Sequence, residues 1–358
     1  MPLAFVALAC AALIGFAAHR ASLCNVRAVA EIMTSGSAQL LWSLLQAVLW
    51  TATLTGVMAL VFGIAPQFAW ARAQLAWSSA GGLLFGAGAA VNGGCSLSTL
   101  TRLADGDLGM AATLAGFLLG VSTWLGVLAV GWPATLTPQA SPWLRWPDVA
   151  PWVLVLLLAW AVHRTWVLVK LSAGRRLKAL LIVPHYHLSV SAALIGLAAG
   201  LLYATQDAWS YTNYLRVRLL HAFDAASVPS AWHGVLVLAL LGGMTASALH
   251  RRSFGWRWPS ESAGWSRHAA GGILMGSGAA MLPGGNDTVL LGGLPTMTGA
   301  ALAGYLSMLM GIALVLVVLR TAHASMPAVA CSPAGCDVAG AAAPARSIPG
   351  DIRQGEAS

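Results

Sequence analysis

The sequence predicts an all-α membrane protein with about nine transmembrane helices in an inverted repeat, whose broken, re-entrant half-helices meet near mid-membrane. Three observations predict this fold. First, 58% of the 358 residues are hydrophobic and 8% are charged, whereas soluble domains carry about a quarter charged residues. Second, a glycine-rich stretch at 81–100 recurs at 271–291. Third, a lone apolar span separates two sets of four.

The individual spans are predicted from apolar stretches, most of which are close to the length of about 20 residues that is needed to cross a bilayer. These stretches are 2–18, 40–63, 78–93, 109–131, 149–169, 188–206, 231–249, 270–283 and 299–319. Two further stretches, 22–34 and 208–223, follow the first span of each set and are predicted to be short helices at or in the membrane. A lone span between two sets of four turns the second set upside down, as an inverted repeat requires.

The chain divides along the same lines. We expect a first repeat half at 1–131, a linking span with a basic loop at 132–187, a second, inverted half at 188–320, and a tail at 321–358. The tail is rich in Ala, Pro, Gly and Ser without an apolar period, which predicts disorder. The apolar run at the N-terminus has no basic segment before it, so it is predicted to be a first span rather than a cleaved signal.

Basic residues predict the orientation of the chain in the membrane. The loop after 149–169 is rich in Lys and Arg and should therefore be cytoplasmic. Its basic residues are Arg164, Lys170, Arg175, Arg176 and Lys178. With about nine crossings, the N-terminus is then outside and the C-terminus is cytoplasmic. Because the basic residues lie in short loops, the net charge of +8 indicates topology and contact with membrane lipid rather than nucleic-acid binding.

The stretch at 81–100 is the most informative part of the chain. Its apolar helix breaks at Asn92-Gly93-Gly94, presents Cys95, and resumes with residues that favour a helix start. In lipid, a broken backbone is tolerated only where protein or a wet cavity satisfies it. Small residues one turn apart would serve helix packing alone, but packing does not require the break. The stretch therefore predicts a half-helix, a break near mid-membrane, and a short helix whose N-terminus faces a ligand.

The same pattern occurs again in the second half. The segment GGLLFGAGAA from Gly81 returns as GGILMGSGAA from Gly271. After one inserted residue, Gly93-Gly94-Cys95 matches Gly284-Gly285-Asn286. Paired broken helices at corresponding places in two halves are a strong sequence indication of a transporter site.

Cysteine and arginine supply the candidate chemistry on the first-half side. Cys95 precedes a helix N-terminus, whose dipole favours a thiolate and a nearby anion, although most free cysteines are simply small buried residues. Cys24 lies between Arg20 and Arg27, which makes an electropositive setting for an anion. The alternative for both arginines is that they snorkel to the membrane boundary.

Asn286 and Asp287 stand at the place of Cys95 in the second half. The amide of Asn286 can bind an oxyanion but cannot perform thiol chemistry. Asp287 has two interpretations, a functional charge within the membrane and a helix N-cap, and the sequence Gly-Gly-Asn-Asp-Thr favours the N-cap.

Other motifs carry less weight. Cys10 lies among Ala and Leu and is predicted to pack in the core. Cys331 and Cys336 have four residues between them, wider than the usual metal or redox pair. The sequence contains no Walker, GxSxG or HExxH motif, so we predict no ATP-driven pumping and no hydrolysis. We also predict no enzyme activity, no metal and no cofactor.

Three segments together resemble the YeeE/YedE sulfur-transport family: His19–Ala28, Gly81–Thr99 and Gly271–Thr288. The resemblance covers roughly residues 1–320. It implies a nine-span inverted repeat in a bacterial inner membrane, and a narrow path in which cysteine thiols hydrogen-bond the terminal sulfur of thiosulfate. Cys24 and Cys95 match two such thiols, whereas Asn286 stands where members often carry a third. The family also implies a cytoplasmic sulfur-carrier partner, which the tail cysteines would be placed to meet.

Three functions are compatible with these residues. The first is import of thiosulfate, or of another sulfur or selenium anion, through a path lined by Cys24, Cys95, Asn286, the flanking glycines and the two arginines. The second is a membrane enzyme that transfers sulfur through a cysteine persulfide. The third is a scaffold without chemistry for a sulfur-carrier protein. We expect the first.

Overall fold

The computed structural model describes residues 2–63, 75–130, 141–172, 186–206, 209–223, 230–259, 261–282, 284–322, 328–332 and 335–339. The first half contains helices α1 (Pro2–Ala21), α2 (Asn25–Ser35), α3 (Gln39–Leu60), α4 (Leu75–Asn92), α5 (Ser96–Ala104) and α6 (Gly109–Ala129). The linking segment contains α7 (Pro142–Arg145) and α8 (Ala150–Ser172).

The second half repeats the order of long and short helices. It contains α9 (Leu188–Gln206), α10 (Tyr211–Phe223), α11 (Ala231–Arg251), α12 (Ser262–Met281), α13 (Asn286–Thr288) and α14 (Gly299–Thr321). Between α13 and α14 the chain continues as a π turn at Val289–Gly293 and a 3₁₀ turn at Leu294–Thr296. The predicted short helices at 22–34 and 208–223 are present as α2 and α10.

The all-α membrane fold is confirmed. Within the described residues, eight helical segments are long and apolar enough to cross a membrane. They contain α1, α3, α4, α6, α8, α9, α11 and α14. The remaining predicted span, 270–283, lies in α12, which falls outside this set because its first half is polar. α12 nevertheless packs lengthwise between α4 and α6.

The long helices exchange partners between the halves. α1 packs against α11, and the corresponding helix of the second half, α9, packs against α3. In the same way α4 packs against α14, while its counterpart α12 packs against α6. A two-fold axis in the membrane plane would produce such an exchange. The inverted repeat itself stays a prediction, which these contacts support.

The repeated glycines bring α4 and α12 together. A Cβ atom placed on Gly88 would lie 2.6 Å from the carbonyl oxygen of Gly271, and one placed on Gly271 would lie 2.8 Å from that of Gly88. The two helices therefore run antiparallel with their backbones in contact. In a bilayer such close approach is a main source of helix association, because lipid supplies little hydrophobic drive. These glycines serve packing, as the alternative interpretation of the motif holds.

The tail contains one described pair of strands. β1 (Ala328–Ser332) and β2 (Gly335–Ala339) are antiparallel, and Cys331 is opposite Cys336. β1 lies against α2 and α3. The disorder predicted for the tail at 321–358 stays a prediction. Residues 340–358 and most of the predicted basic loop, 173–185, lie outside the described residues.

Candidate functional site

Two helix breaks face each other at the centre of the bundle. α4 ends at Asn92 and α5 begins at Ser96, while α12 ends at Met281 and α13 begins at Asn286. Both predicted breaks are therefore confirmed. Gly93 has φ +76° and Gly284 has φ +124°, backbone conformations that favour glycine because it has no Cβ.

The first-half break brings Cys24 and Cys95 together. Each cysteine is the N-cap residue of a short helix, Cys24 of α2 and Cys95 of α5. Their side chains are 2% and 1% exposed, and they lie within hydrogen-bonding reach of each other. Cys24 Sγ also donates to Ser98 Oγ at 3.5 Å. Two thiols thus lie side by side where two helix N-termini converge, a favourable place for a negative charge.

The structure shifts the predicted correspondence between the halves by one residue. The N–H of Gly94 donates to Ala89 O at 2.9 Å, and the N–H of Gly284 makes the same bond to Ala279 O at 2.8 Å. Gly284 therefore corresponds to Gly94. The inserted residue of the sequence alignment is not needed.

With this register, Gly285 holds the N-cap position of Cys95 and Asn286 holds that of Ser96. The cysteine of α2 has a counterpart as well. Cys24 bonds Ser98 in the first half, and Ser210, which precedes α10, bonds Thr288 at 2.5 Å in the second. The second half therefore carries a glycine and a hydroxyl where the first half carries two thiols.

Asn286 and Ser96 join the two breaks directly. Ser96 Oγ donates to Asn286 Oδ1. The hydroxyl of Tyr211, the first residue of α10, hydrogen-bonds Ser96 in turn. Asn286 is 2% exposed. The sequence predicted that Asn286 lies near a ligand path. In the structure its side chain bonds Ser96, which is the next residue in the chain after Cys95.

Asp287 is not the N-cap of α13, contrary to the sequence interpretation, because Gly285 holds that position. Its carboxylate instead accepts from Thr212 of α10, through the side-chain hydroxyl at 2.5 Å and the backbone N–H at 3.3 Å. Thr212 Oγ1 accepts from the N–H of Gly285 at 2.8 Å. Thr212 also lies 3.0 Å from the hydroxyl of Thr288. The backbone N–H groups of Asp287 and Thr288 also donate to this carboxylate, which therefore links α13 to α10.

Asn92 is a positioning residue that sequence reasoning did not single out. Its Nδ2 donates to Gly94 O at 3.0 Å and to Thr99 Oγ1 at 3.1 Å. Its Oδ1 accepts from Thr113 Oγ1 at 2.8 Å and from His268 Nδ1 at 2.8 Å. One buried amide therefore ties the break to α5, α6 and α12. The available signal was an amide at the end of an apolar helix, directly before Gly-Gly.

Arg20 and Arg27 differ in their relation to the thiols. Arg20 is 1% exposed, so it does not snorkel. Its guanidinium bonds Ser247 at 3.3 Å and His250 at 2.8 Å, and stacks over the ring of Phe16 at 4.6 Å. Arg27 is partly buried and close enough to Cys24 for an electrostatic interaction. Arg27 can therefore attract an anion to the thiols, while Arg20 organises one end of the bundle.

That end carries a buried polar network around Asp105, in the turn between α5 and α6. Asp105 Oδ1 lies 3.0 Å from His19 Nε2 and accepts from Ser253 Oγ at 2.6 Å. Burial raises the pKa of the Asp105 carboxyl, but the hydrogen bonds from His19 and Ser253 outweigh it and leave this pKa below its usual value. The Asp105 network joins the α5–α6 turn to the turn after α11. Nowhere in the described ranges do three or more His, Cys, Asp or Glu residues converge as metal ligands.

Comparison with known proteins identifies the family of this chain. A family model described as sulphur transport matches residues 20–314. The thiosulfate transporter TsuA of Escherichia coli K12 is 26% identical over 336 residues, which cover 85% of this chain and 91% of that protein. The thiosulfate transporter TsuA of Spirochaeta thermophila is 25% identical over 238 residues, which cover 61% of this chain and 69% of that protein. The resemblance inferred from the His19–Ala28 segment and the two glycine-rich segments is confirmed, and the chain belongs to the sulphur transport family.

Proposed function

We propose that this protein imports thiosulfate, or a closely related sulfur anion, along a path that passes the two helix breaks. One observation carries the proposal: the thiols of Cys24 and Cys95 lie side by side at the N-termini of α2 and α5. The two TsuA relatives are both named thiosulfate transporters, which supports this substrate.

The chemistry of the thiol pair suits such an anion. Thiosulfate carries two charges and a soft terminal sulfur. Taking it out of water is unfavourable unless donors and dipoles replace its hydration. The thiols of Cys24 and Cys95 are weak donors that match a soft acceptor, and the N-termini of α2 and α5 supply positive potential. Weak contacts also let the anion leave, as conduction requires.

The opposite side of the junction suits the other end of the anion. The three oxygens of thiosulfate are hard acceptors. The second half offers the side-chain amide of Asn286 there, whose NH₂ group is a donor. We propose that the sulfur is held by the first half and the oxygens by the second, with the glycines at 93–94 and 284–285 allowing close approach.

The direction of transport follows from the predicted topology. The Asp105 end carries most of the arginines of the described loops, so we place it in the cytoplasm of a bacterial inner membrane. Moving a dianion inward against about 100 mV then requires about 4.6 kcal/mol, at about 2.3 kcal/mol per charge. Import therefore requires an energy source. We also propose that a cytoplasmic sulfur-carrier protein receives the imported anion.

The test is uptake of [³⁵S]thiosulfate by cells that lack other importers, at matched membrane levels of each variant. We expect Cys95→Ala and Cys24→Ala each to reduce uptake at least tenfold. Cys10→Ala is the matched control, because Cys10 lies in α1 apart from the thiol pair, and it should leave uptake within twofold. Equal uptake by Cys95→Ala and the control would contradict a role for the thiol.

Mass spectrometry separates transport from sulfur transfer. If the protein transports the intact anion, Cys24 and Cys95 keep their mass after exposure to thiosulfate. An added sulfur on either residue would instead indicate the persulfide enzyme. No uptake by a correctly folded wild type would indicate another substrate, to be sought among other sulfur and selenium anions.

A further inference from the structure

The second half contains a buried carboxylate that the thiol path does not use. Asp287 is 6% exposed and lines a small internal cavity with Tyr211 and Leu97. Its described hydrogen-bond donors are the hydroxyl and the N–H of Thr212 and the backbone N–H groups of Asp287 and Thr288. In the part of the chain that the structure describes, no Lys, Arg or His lies within ion-pair distance of it. An ionisable group in this position is expensive to keep and indicates function.

The fold does not require this carboxylate. By the register established above, Asp287 corresponds to Leu97 and Thr212 corresponds to Val26. The corresponding positions of the first half thus carry two apolar residues. The repeat pattern therefore gives no reason for a buried charge in the second half.

Three hydroxyl groups surround the carboxylate. Thr212 Oγ1 lies 3.0 Å from Thr288 Oγ1, Thr288 lies 2.5 Å from Ser210 Oγ, and Ser210 lies 3.4 Å from Thr212. A carboxylate with several hydroxyl oxygens is the kind of oxygen donor set that a hard cation prefers. These oxygens can also hold a proton on the carboxylate by hydrogen bonding.

The position of Asp287 links it to the path of the anion. It follows Asn286, whose side chain bonds Ser96, the neighbour of Cys95. An ionised Asp287 would repel a dianion at the thiol pair, and this repulsion is large at short distance in a medium of low dielectric constant. A cation bound at Asp287 removes the repulsion and also supplies positive charge for the inward step.

We propose that Asp287, together with the hydroxyls of Thr212, Thr288 and Ser210, binds a monovalent cation, H⁺ or Na⁺, that accompanies the anion through the protein. The inference rests on the proposed function: at about 100 mV one cation halves the electrical cost of importing the dianion, from about 4.6 to about 2.3 kcal/mol, and the concentration gradient of the cation supplies the remaining driving force. The other titratable groups that face this site are Tyr211 of α10 and Cys95 at the start of α5. Arg216, further along α10, is bonded to Asn213.

The experiment uses purified protein in liposomes and [³⁵S]thiosulfate. Uptake is measured with an inward H⁺ gradient, with an inward Na⁺ gradient, and with neither, and exchange is measured separately with thiosulfate on both sides. We expect one of the two gradients to raise wild-type uptake at least tenfold. Asp287→Asn should lose this stimulation and keep exchange within twofold. Asp148→Asn, a change of the same kind at an exposed position, should behave as wild type.

A second variant guards against misfolding. The double change Asp287→Leu with Thr212→Val copies the residues at the corresponding positions of the first half, Leu97 and Val26, and should fold because it replaces a buried charge and its donor by apolar side chains of similar size. It too should keep exchange and lose stimulation by the gradient. Gradient-independent uptake by wild type, or full stimulation in both variants, would overturn the inference while leaving thiosulfate transport intact.

A measurement without the anion keeps the two proposals distinguishable. Thermal unfolding of wild type is followed in NaCl and in choline chloride, and over a pH series. A bound cation stabilises the folded state, so Tm should depend on Na⁺ or on pH. Asp287→Asn should remove the Na⁺ dependence, or remove the part of the pH dependence that remains in an Asp105→Asn background. If wild type neither takes up nor exchanges thiosulfate, the proposed function fails. The cation site is then supported by a Tm dependence that is lost in Asp287→Asn and overturned by its absence.

Discussion

Asn92→Ala tests whether one amide holds the first-half break in place. The substitution removes the partner of the Gly94 carbonyl, the Thr113 hydroxyl and the His268 ring, all of which are buried. Thr99 is less affected, because its hydroxyl also bonds the carbonyl of Cys95 at 3.1 Å. Three buried polar groups left without this partner, at about 1–2 kcal/mol each, give a loss of about 3–6 kcal/mol.

Thermal unfolding in detergent measures this loss. At about 2 °C per kcal/mol for a large chain, we expect Tm to fall by roughly 6–12 °C. Uptake of thiosulfate should fall as well, at matched protein levels, because the thiol of Cys95 is no longer held in position. Asn213→Ala is the control, since its carbonyl oxygen bonds Arg216 on the same helix and the change should shift Tm by about 2 °C or less. A shift as small for Asn92→Ala would refute the reasoning.

Three other predictions test separate parts of the molecule. Gly88→Leu should prevent accumulation of folded protein, because its Cβ would lie 2.6 Å from a backbone oxygen of α12. Gly126→Leu should be tolerated, since nothing lies within 4 Å of a Cβ there. The amounts of the two variants recovered in membranes measure this difference. Because the pKa of Asp105 is lowered in the folded state, its carboxylate stabilises the fold above the unfolded pKa of about 3.9, and this stability is lost as pH falls through the folded pKa. Asp105→Asn should therefore lower Tm at neutral pH and flatten the dependence of Tm on acid pH. An unchanged pH dependence of Tm would count against the Asp105 network. Finally, Ser96→Cys with Asn286→Cys, in a background without the native thiols, should form a disulfide on oxidation, seen as the loss of two hydrogens by mass spectrometry; failure to crosslink would mean that the breaks do not meet.

The positions of the breaks could be predicted from the sequence because their cause is local. An apolar helix interrupted by Gly-Gly cannot remain regular, and a left-handed φ at Gly93 follows from the residue type. The short helices at α2 and α10 were predictable for a related reason, since each apolar segment is too short to span the bilayer.

The register between the halves could not be predicted in the same way. Matching the Gly-Gly pair at 93–94 with the pair at 284–285 requires one inserted residue, for which Pro283, next to Gly284, was available. This match placed Asn286 opposite Cys95. The matching backbone bonds of Gly94 to Ala89 and of Gly284 to Ala279 resolve it, and the bond between Ser210 and Thr288 agrees with them. The partner of Asp287 was hidden as well, since Thr212 comes from α10 and a capping motif considers only neighbours.

The contact of α4 with α12 has a mechanical consequence. Because the backbones touch at Gly88 and Gly271, no side chain lies between them that could change rotamer and absorb a shift. A slide by one helical turn, about 5.4 Å, would drive the bulky neighbours of each glycine into the opposing backbone. This pair therefore acts as a fixed strut through the middle of the molecule. Any rearrangement at the two breaks is therefore expected in the short segments that follow α4 and α12, and not as a slide of one long helix along the other.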